Sequence, residues 1–78
     1  MYKLKHVSRL GNDIAYYIEY KTFLGTSDIT IYYDTSLNTW DGTLHHGNIY
    51  QDIGSNKAAL IINELLIQTY MEGMIKNV

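Results

Sequence analysis

The strongest constraint on the fold is an alternation of apolar and polar side chains in the N-terminal half of the chain. A period of two is the pattern of a half-buried β-strand. It predicts strands over residues 2–10, 14–21 and 29–33. Gly11 and Gly25 lie between these segments, where glycine favours turns. The sequence therefore predicts an antiparallel meander that begins with a β-hairpin.

Strand parity assigns the side chains to two faces of this sheet. An unbroken alternation gives the first strand one mainly apolar face and one mainly basic face. The first set is Tyr2, Leu4, His6 and Leu10. The second set is Lys3, Lys5 and Arg9, with Val7 among them. We expect aliphatic residues of the next two strands to complete the inward face: Ile14, Ile18, Ile29 and Ile31.

The segment before the helix is predicted to add one or two short strands. Asp41-Gly42 lies between Trp40 and Leu44 and is typical of a tight hairpin turn. Strands near 38–40 and 43–46 would extend the sheet to four or five strands. The alternative is a long loop pinned by Trp40, although such loops are uncommon.

Residues 55–76 are predicted to form one long helix. Ser55 is a candidate N-cap, the segment contains no proline, and Gly73 is a candidate helix end. Together these elements predict a single α+β domain over residues 1–78. Its fold class is an antiparallel three- to five-stranded β-meander followed by one long C-terminal helix packed on one sheet face.

The predicted helix has apolar side chains on two sides, whereas a helix that covers one sheet needs a single apolar stripe. The first stripe consists of Ala58, Ile61, Ile62, Leu65 and Leu66. The second stripe consists of Leu60, Ile67, Tyr70, Met71 and Met74. Soluble monomers rarely leave a large apolar patch exposed. We therefore expect the second stripe to contact a second copy of the chain, a larger protein, or both.

Length leads to the same expectation. A helix of 22 residues extends about 33 Å, whereas an eight-residue strand spans about 26 Å, so the last turns should overhang the sheet. The alternative is that residues 40–53 fold over the second stripe and cover it. Trp40 and Tyr50 are the next candidates for a protein interface, because Trp and Tyr are frequent interface anchors.

The outward face of the sheet carries a second candidate surface. It combines basic and aromatic side chains, which single-strand-binding sheets use to hold phosphates and to stack bases. The predicted set is Lys3, Lys5, Arg9, Tyr17, Lys21 and Tyr32. Glu19 and Asp34 fall on the same face, and cross-strand Lys–Glu pairing would explain the pattern without a ligand.

Composition and motifs argue against several function classes. The chain has no cysteine, and His6, His45 and His46 lack the spacing of metal ligands. We expect no catalytic residue, no metal site and no cofactor. The net charge of −2 predicts no general attraction to nucleic acid or anionic membranes.

The same features predict a cytoplasmic location without membrane association. No apolar run is long enough for a signal peptide or a membrane span, and a secreted domain of this size usually carries disulfides. The size and the Tyr-, Asn- and Ile-rich composition are similar to those of small accessory proteins of phages and mobile elements.

Two functional hypotheses follow from the sequence. The first is a non-enzymatic protein-binding module, a small inhibitor or adaptor that acts as a homodimer through its C-terminal helix. The alternative is a single-stranded nucleic-acid-binding protein that uses the basic, tyrosine-bearing sheet face. An enzyme is the least supported function, because no constellation of catalytic groups is recognisable.

Overall fold

The computed structural model describes the backbone of residues 2–76 and the side chains of residues 2–71. It contains one five-stranded antiparallel sheet whose strands are adjacent in chain order, followed by one helix that packs on the sheet. The elements are β1 (Tyr2–Leu10), β2 (Asp13–Thr22), β3 (Gly25–Asp34), β4 (Thr39–His46), β5 (Ile49–Asp52) and α1 (Gly54–Lys76). The predicted α+β fold class is confirmed.

The β3–β4 turn is closed by side chains of its own residues. Asn38 adopts a left-handed conformation with φ of 54°, which asparagine tolerates better than most residues. The Asp34 carboxylate accepts hydrogen bonds from the Ser36 hydroxyl and from the backbone N–H groups of Ser36 and Leu37. These bonds favour the ionised form and lower the pKa of Asp34.

The turn predicted at Asp41-Gly42 is wrong, because both residues lie inside the continuous strand β4. Gly42 is buried beneath the start of the helix, and its carbonyl accepts the N–H of Ile53 at 3.0 Å. A Cβ at this position would lie 2.9 Å from Cδ1 of Ile31 and 3.0 Å from Cδ1 and Cγ1 of Ile53. Glycine is required here for close packing and not for a turn.

The hydrophobic core lies between β2–β4 and one side of α1. Its fully or nearly fully buried members are Ile18, Ile29, Ile31, Ala58, Ile61, Ile62 and Leu65. The first stripe of the helix faces this core. Four of its five predicted residues are buried, whereas the prediction is wrong for Leu66, which is 66% exposed. The helix lies mainly against β4 and approaches β1 less closely, so the side of α1 that carries Leu66 is left uncovered.

The helix is attached to the sheet at two distant points. At its start, the Asp52 carboxylate accepts the N–H of Gly54 at 3.2 Å, so the helix begins one residue before the predicted N-cap, Ser55. Farther along, the amide nitrogen of Gln68 donates to the carbonyl of Tyr2 on β1 at 3.2 Å. The helix therefore crosses the sheet from the β4–β5 side to the β1 edge. It continues through Gly73 to Lys76, so the early end considered at Gly73 is wrong.

β1 contains a β-bulge between Leu4 and His6. Lys5 is the extra residue, because Leu4 is opposite Ile18 whereas His6 is already opposite Tyr17. Side chains alternate between faces with a period of two, so one additional residue exchanges the faces of all later positions in the strand.

The bulge corrects the faces predicted for the second half of β1. Val7 and Arg9 lie opposite residues that face the helix, so both are on the helix side of the sheet. His6 and Leu10 lie on the other side, which we call the open face. The placement of Arg9 on the basic outward face is therefore wrong.

The part of the chain with described backbone has no helix that is both long enough and apolar enough to span a bilayer.

Replacing Gly42 with alanine should lower the free energy of unfolding by about 1–3 kcal/mol, because the new methyl group overlaps two core side chains. Ile31→Val removes the carbon closest to that methyl group. Its own cost, about 0.5–1.5 kcal/mol, should therefore be smaller in the Gly42→Ala background. Chemical denaturation of the unsubstituted chain, the two single variants and the double variant measures the coupling between the two substitutions. Strictly additive losses would contradict the steric explanation.

Candidate interaction surfaces

The outward side of α1 carries a row of exposed apolar side chains, which we call the outer seam: Leu60, Ile67, Tyr70 and Met71. Their exposed fractions are 62%, 56%, 68% and 53%. The alternative in which residues 40–53 cover these side chains is wrong, because that segment forms most of β4 and all of β5 and leaves the side chains exposed. Met74, the fifth predicted member, lies outside the described side chains.

Two pairs of residues on this side of the helix are separated by seven positions in the sequence. Leu60 and Ile67 are seven residues apart, and so are Asn63 and Tyr70. A seven-residue repeat keeps side chains along one line of a helix that pairs with another helix. Asn63 is exposed near the middle of this line. A polar residue in such a position selects one register between paired helices at a cost in stability.

Apolar surface also extends from α1 toward the edge strand β1. Leu4 and Val7 face the helix side but remain partly exposed, because the helix covers β1 incompletely. Leu4, Tyr16 and Leu66 line a groove of about 80 Å³ between the two elements. This volume is below the ~300 Å³ of ordinary small-molecule sites.

The two aromatic anchor candidates have different environments. Trp40 lies on the helix side of β4 and packs against Tyr33 and Tyr16, with ring centroids 4.4 Å and 6.2 Å away. Trp40 is therefore half-buried and packs against the core cluster, so it is less accessible than an exposed interface anchor would be. Tyr50 is exposed on β5, with its ring centroid 6.2 Å from that of His45.

The lysines of the open face are organised around one carboxylate. Glu19 binds Lys5 at 3.0 Å and Lys21 at 3.5 Å, and Lys3 is its direct neighbour on β1. The predicted cross-strand Lys–Glu pairing is confirmed. The hydrogen bond from Lys5, followed by the positive charges of Lys5 and Lys21, lowers the pKa of Glu19.

The open face as a whole is acidic. Tyr17 and Tyr32 lie on it as predicted, together with Lys3, Lys5 and Lys21. The strand register also places six carboxylate side chains there: Asp13, Glu19, Asp28, Asp34, Asp41 and Asp52. These carboxylates outnumber the lysines, so the face attracts cations more than it attracts phosphates.

The histidines lie in three separate environments. His6 stacks on Tyr17 on the open face, with 5.7 Å between ring centroids. His45 faces the same side, whereas Nδ1 of His46 is hydrogen-bonded to the Ser27 hydroxyl at 2.8 Å. Within the described residues, no three His, Cys, Asp or Glu side chains are placed to hold a metal ion together.

One exposed apolar pair lies outside the predicted surfaces. Phe23 and Leu24 form the tip of the β2–β3 hairpin and are 96% and 78% exposed. Gly25 follows with φ of 135°, which a side chain would disfavour. The sequence could have indicated this exposed pair, because two large apolar residues in a tight turn have no neighbouring side chains to pack against.

In an NMR titration, the side-chain carboxyl of Glu19 should show a pKa below the ordinary value of about 4.3. Lys5→Met should raise that pKa more than Lys21→Met, because Lys5 makes the closer bond. Since folding lowers the pKa, the stabilisation from this carboxylate is present above its unfolded pKa and is lost as the pH falls through the folded value. Equal effects of the two substitutions would contradict the leading role of Lys5.

Comparison with protein-family models, with curated proteins and with solved structures finds no match to this chain.

Proposed function

We propose that the chain is a non-enzymatic protein-binding module that forms a homodimer through α1 and acts as a small inhibitor or adaptor on a larger protein. The observation that carries this proposal is the exposure of Leu60, Ile67, Tyr70 and Met71 on the outward side of the helix. Exposed apolar patches of the size that these four side chains form are often interaction sites.

The size of this patch is adequate for self-association. The outer seam and the adjacent Leu66 expose on the order of 500 Å² of side-chain surface, by the areas typical of such residues. A symmetric dimer would bury this area twice, on the order of 1,000 Å², which is near the lower limit of stable interfaces. Additional burial of Leu4 and Val7 would bring the area closer to the standard size.

A two-fold symmetric pair fits the chemistry of the seam. Such an interface places the same surface of both copies in contact, so it must be complementary to itself. The four seam residues meet this condition because none of them is charged, although Glu64 is exposed on the helix between Leu60 and Ile67. Asn63 lies beside the row and can bond to the same residue of the second copy, which would fix the register of the two helices.

The inhibitor or adaptor role rests on the size and the surfaces of the domain. A dimer through α1 would leave the open face and the Phe23–Leu24 tip available for a larger protein. The described cavities are about 80 Å³ and 210 Å³, smaller than ordinary substrate pockets. Binding to a protein surface needs no enclosed pocket, which favours an interaction module over an enzyme.

Replacing Ile67 and Met71 together with glutamate should convert the dimer to a monomer, because the seam would then bring four carboxylates together in a symmetric pair. Both side chains are exposed, so the fold should tolerate the change. Light scattering at two concentrations measures the mass, and circular dichroism with thermal unfolding checks that the variant is folded.

A matched control replaces two other exposed apolar residues, Leu10 and Leu37, with glutamate. These residues lie at the opposite end of the sheet from the last helix turns and outside the seam. The control should retain the mass of the unsubstituted chain. A monomeric unsubstituted chain at high concentration, or a folded Ile67→Glu/Met71→Glu variant of unchanged mass, would remove the proposed interface.

The alternative of single-strand nucleic-acid binding has one supporting observation. Lys3, Lys5 and Lys21 cluster at one end of the open face, which also bears two tyrosines. Its support is weaker, because Glu19 pairs with two of these lysines and Arg9 lies on the helix side.

We expect no salt-sensitive binding of a fluorescent oligothymidylate by this chain, because the carboxylates of the open face repel phosphates. Fluorescence anisotropy at low and moderate salt is the measurement. Binding that weakens with salt and is lost in a Lys3→Ala/Lys5→Ala/Lys21→Ala variant would reverse the preference between the two functions. The control compares the single variant Lys3→Ala with Arg9→Ala, since each removes one positive charge, from opposite sides of the sheet.

A further inference from the structure

A hollow lies on the open face near the β1–β2 turn. Ala15, which is buried, lines it together with Ser8, Leu10, Asp13, Tyr17 and Tyr32. One face of the Tyr17 ring is stacked on His6, which leaves the other face for a ligand. Ala15 is directly opposite Ser8 on β1 and Tyr32 on β3. A small side chain between larger neighbours therefore leaves a space of about 210 Å³ in the centre of three paired strands.

The surroundings of the hollow are anionic. Asp13 lines it, Asp34 lies opposite Asp13, and Asp41 lies opposite Tyr32. The lysines of the open face are at the other end of the sheet, beside Glu19. An unbroken alternation of β1 would have placed a cation here, but the bulge moves Arg9 to the helix side.

Asp13 is the carboxylate best placed to meet a ligand. The Asp34 carboxylate is held by the N–H groups of its own turn, and that of Asp41 accepts the N–H of Gly42 at 2.8 Å. Asp13 is exposed and lies at the edge of the space itself.

This combination selects one type of ligand. The faces of tyrosine rings attract cations, and a carboxylate beside them supplies a full opposite charge. A guanidinium group suits both, because it is flat enough to stack on a ring and can donate two parallel hydrogen bonds to a carboxylate. A neutral apolar group would desolvate the carboxylate without compensation. A phosphate would be repelled by the three carboxylates around the hollow, those of Asp13, Asp34 and Asp41.

We propose that the hollow formed by Ala15, Tyr17, Tyr32 and Asp13 binds an arginine side chain from an exposed segment of a partner protein. The site is on the face opposite the helix, so a dimer through α1 leaves it accessible. Its test is independent of the dimer: either one can fail while the other holds.

The probe is an acetylated and amidated Gly-Arg-Gly peptide, titrated into the isotope-labelled full chain to about 20 mM, since a single side chain binds weakly. We expect saturable NMR shifts confined to the Ala15 methyl group and the rings of Tyr17 and Tyr32. The same peptide with glutamate in place of arginine should cause none. Absence of saturable shifts, or equal shifts with both peptides, would overturn the proposal.

Two variants test the chemistry of the site. Asp13→Asn should weaken binding of the arginine peptide roughly tenfold, because a charge-assisted bond is lost. The control, Asp28→Asn, removes an equal charge elsewhere on the open face and should leave binding unchanged. Equal weakening by both would mean general attraction to an acidic face and would overturn a specific site.

Filling the hollow is the second test. Ala15→Leu should abolish the shifts of the tyrosine rings, and thermal unfolding verifies that this variant remains folded. If Ala15→Leu does not fold, Ala15→Val, a smaller change, is measured instead. Undiminished binding by the folded variant, or saturable shifts of the same signals with an oligothymidylate, would assign the face to another ligand and overturn the proposal.

Discussion

The close approach of Ile53 to the backbone of β4 at Gly42 determines where the helix lies. The absence of a side chain at Gly42 lets the chain enter α1 directly above the sheet, held by the Ile53–Gly42 hydrogen bond. From this start, Ile61 and Leu65 join the buried isoleucines of β2 and β3 in one core cluster. The rest of the helix must then cross toward β1, where its cover is thin.

This placement explains both the core and the exposed surface. The sheet buries Ala58, Ile61, Ile62 and Leu65 on one side of the helix, whereas the outer seam on the other side remains exposed. A domain of this size obtains only about 3–5 kcal/mol from its own core. Association through the outer seam would add apolar burial that the monomer lacks, although ordering and association costs offset most of it. The exposed outer seam and the small core therefore have the same cause: the sheet can bury only one side of the helix.

The regular parts of the structure were predictable from local patterns. Alternation in 14–21 and 29–33 identified β2 and β3, and the two apolar sides of the helix identified both its core stripe and its exposed row. The errors come from contacts distant in sequence. In the sequence, Asp41-Gly42 has the composition of a turn, because the contacts of Gly42 with Ile31 and Ile53 form only in the folded chain. The packing of Trp40 against Tyr33 likewise forms only when the strands pair.

The bulge and the hollow were the least predictable features. A bulge leaves composition and average hydrophobicity unchanged, and its trace in the sequence is slight: unbroken alternation puts His6 on the apolar face and Val7 among the basic residues. The hollow depends on three strands at once, because Ser8, Ala15 and Tyr32 meet only through the register. Each residue alone is ordinary for a strand, and only their row across the sheet produces a concave surface.

The extra residue at Lys5 has a consequence for how such a chain can change over generations. A one-residue insertion or deletion in an edge strand exchanges the faces of the positions beyond it while the central strands keep their core. In this chain it decides on which side of the sheet Arg9 contributes its charge. Length variation at the β1 edge is thus a route by which the polarity of one corner of the sheet can be reversed without any substitution in the interior.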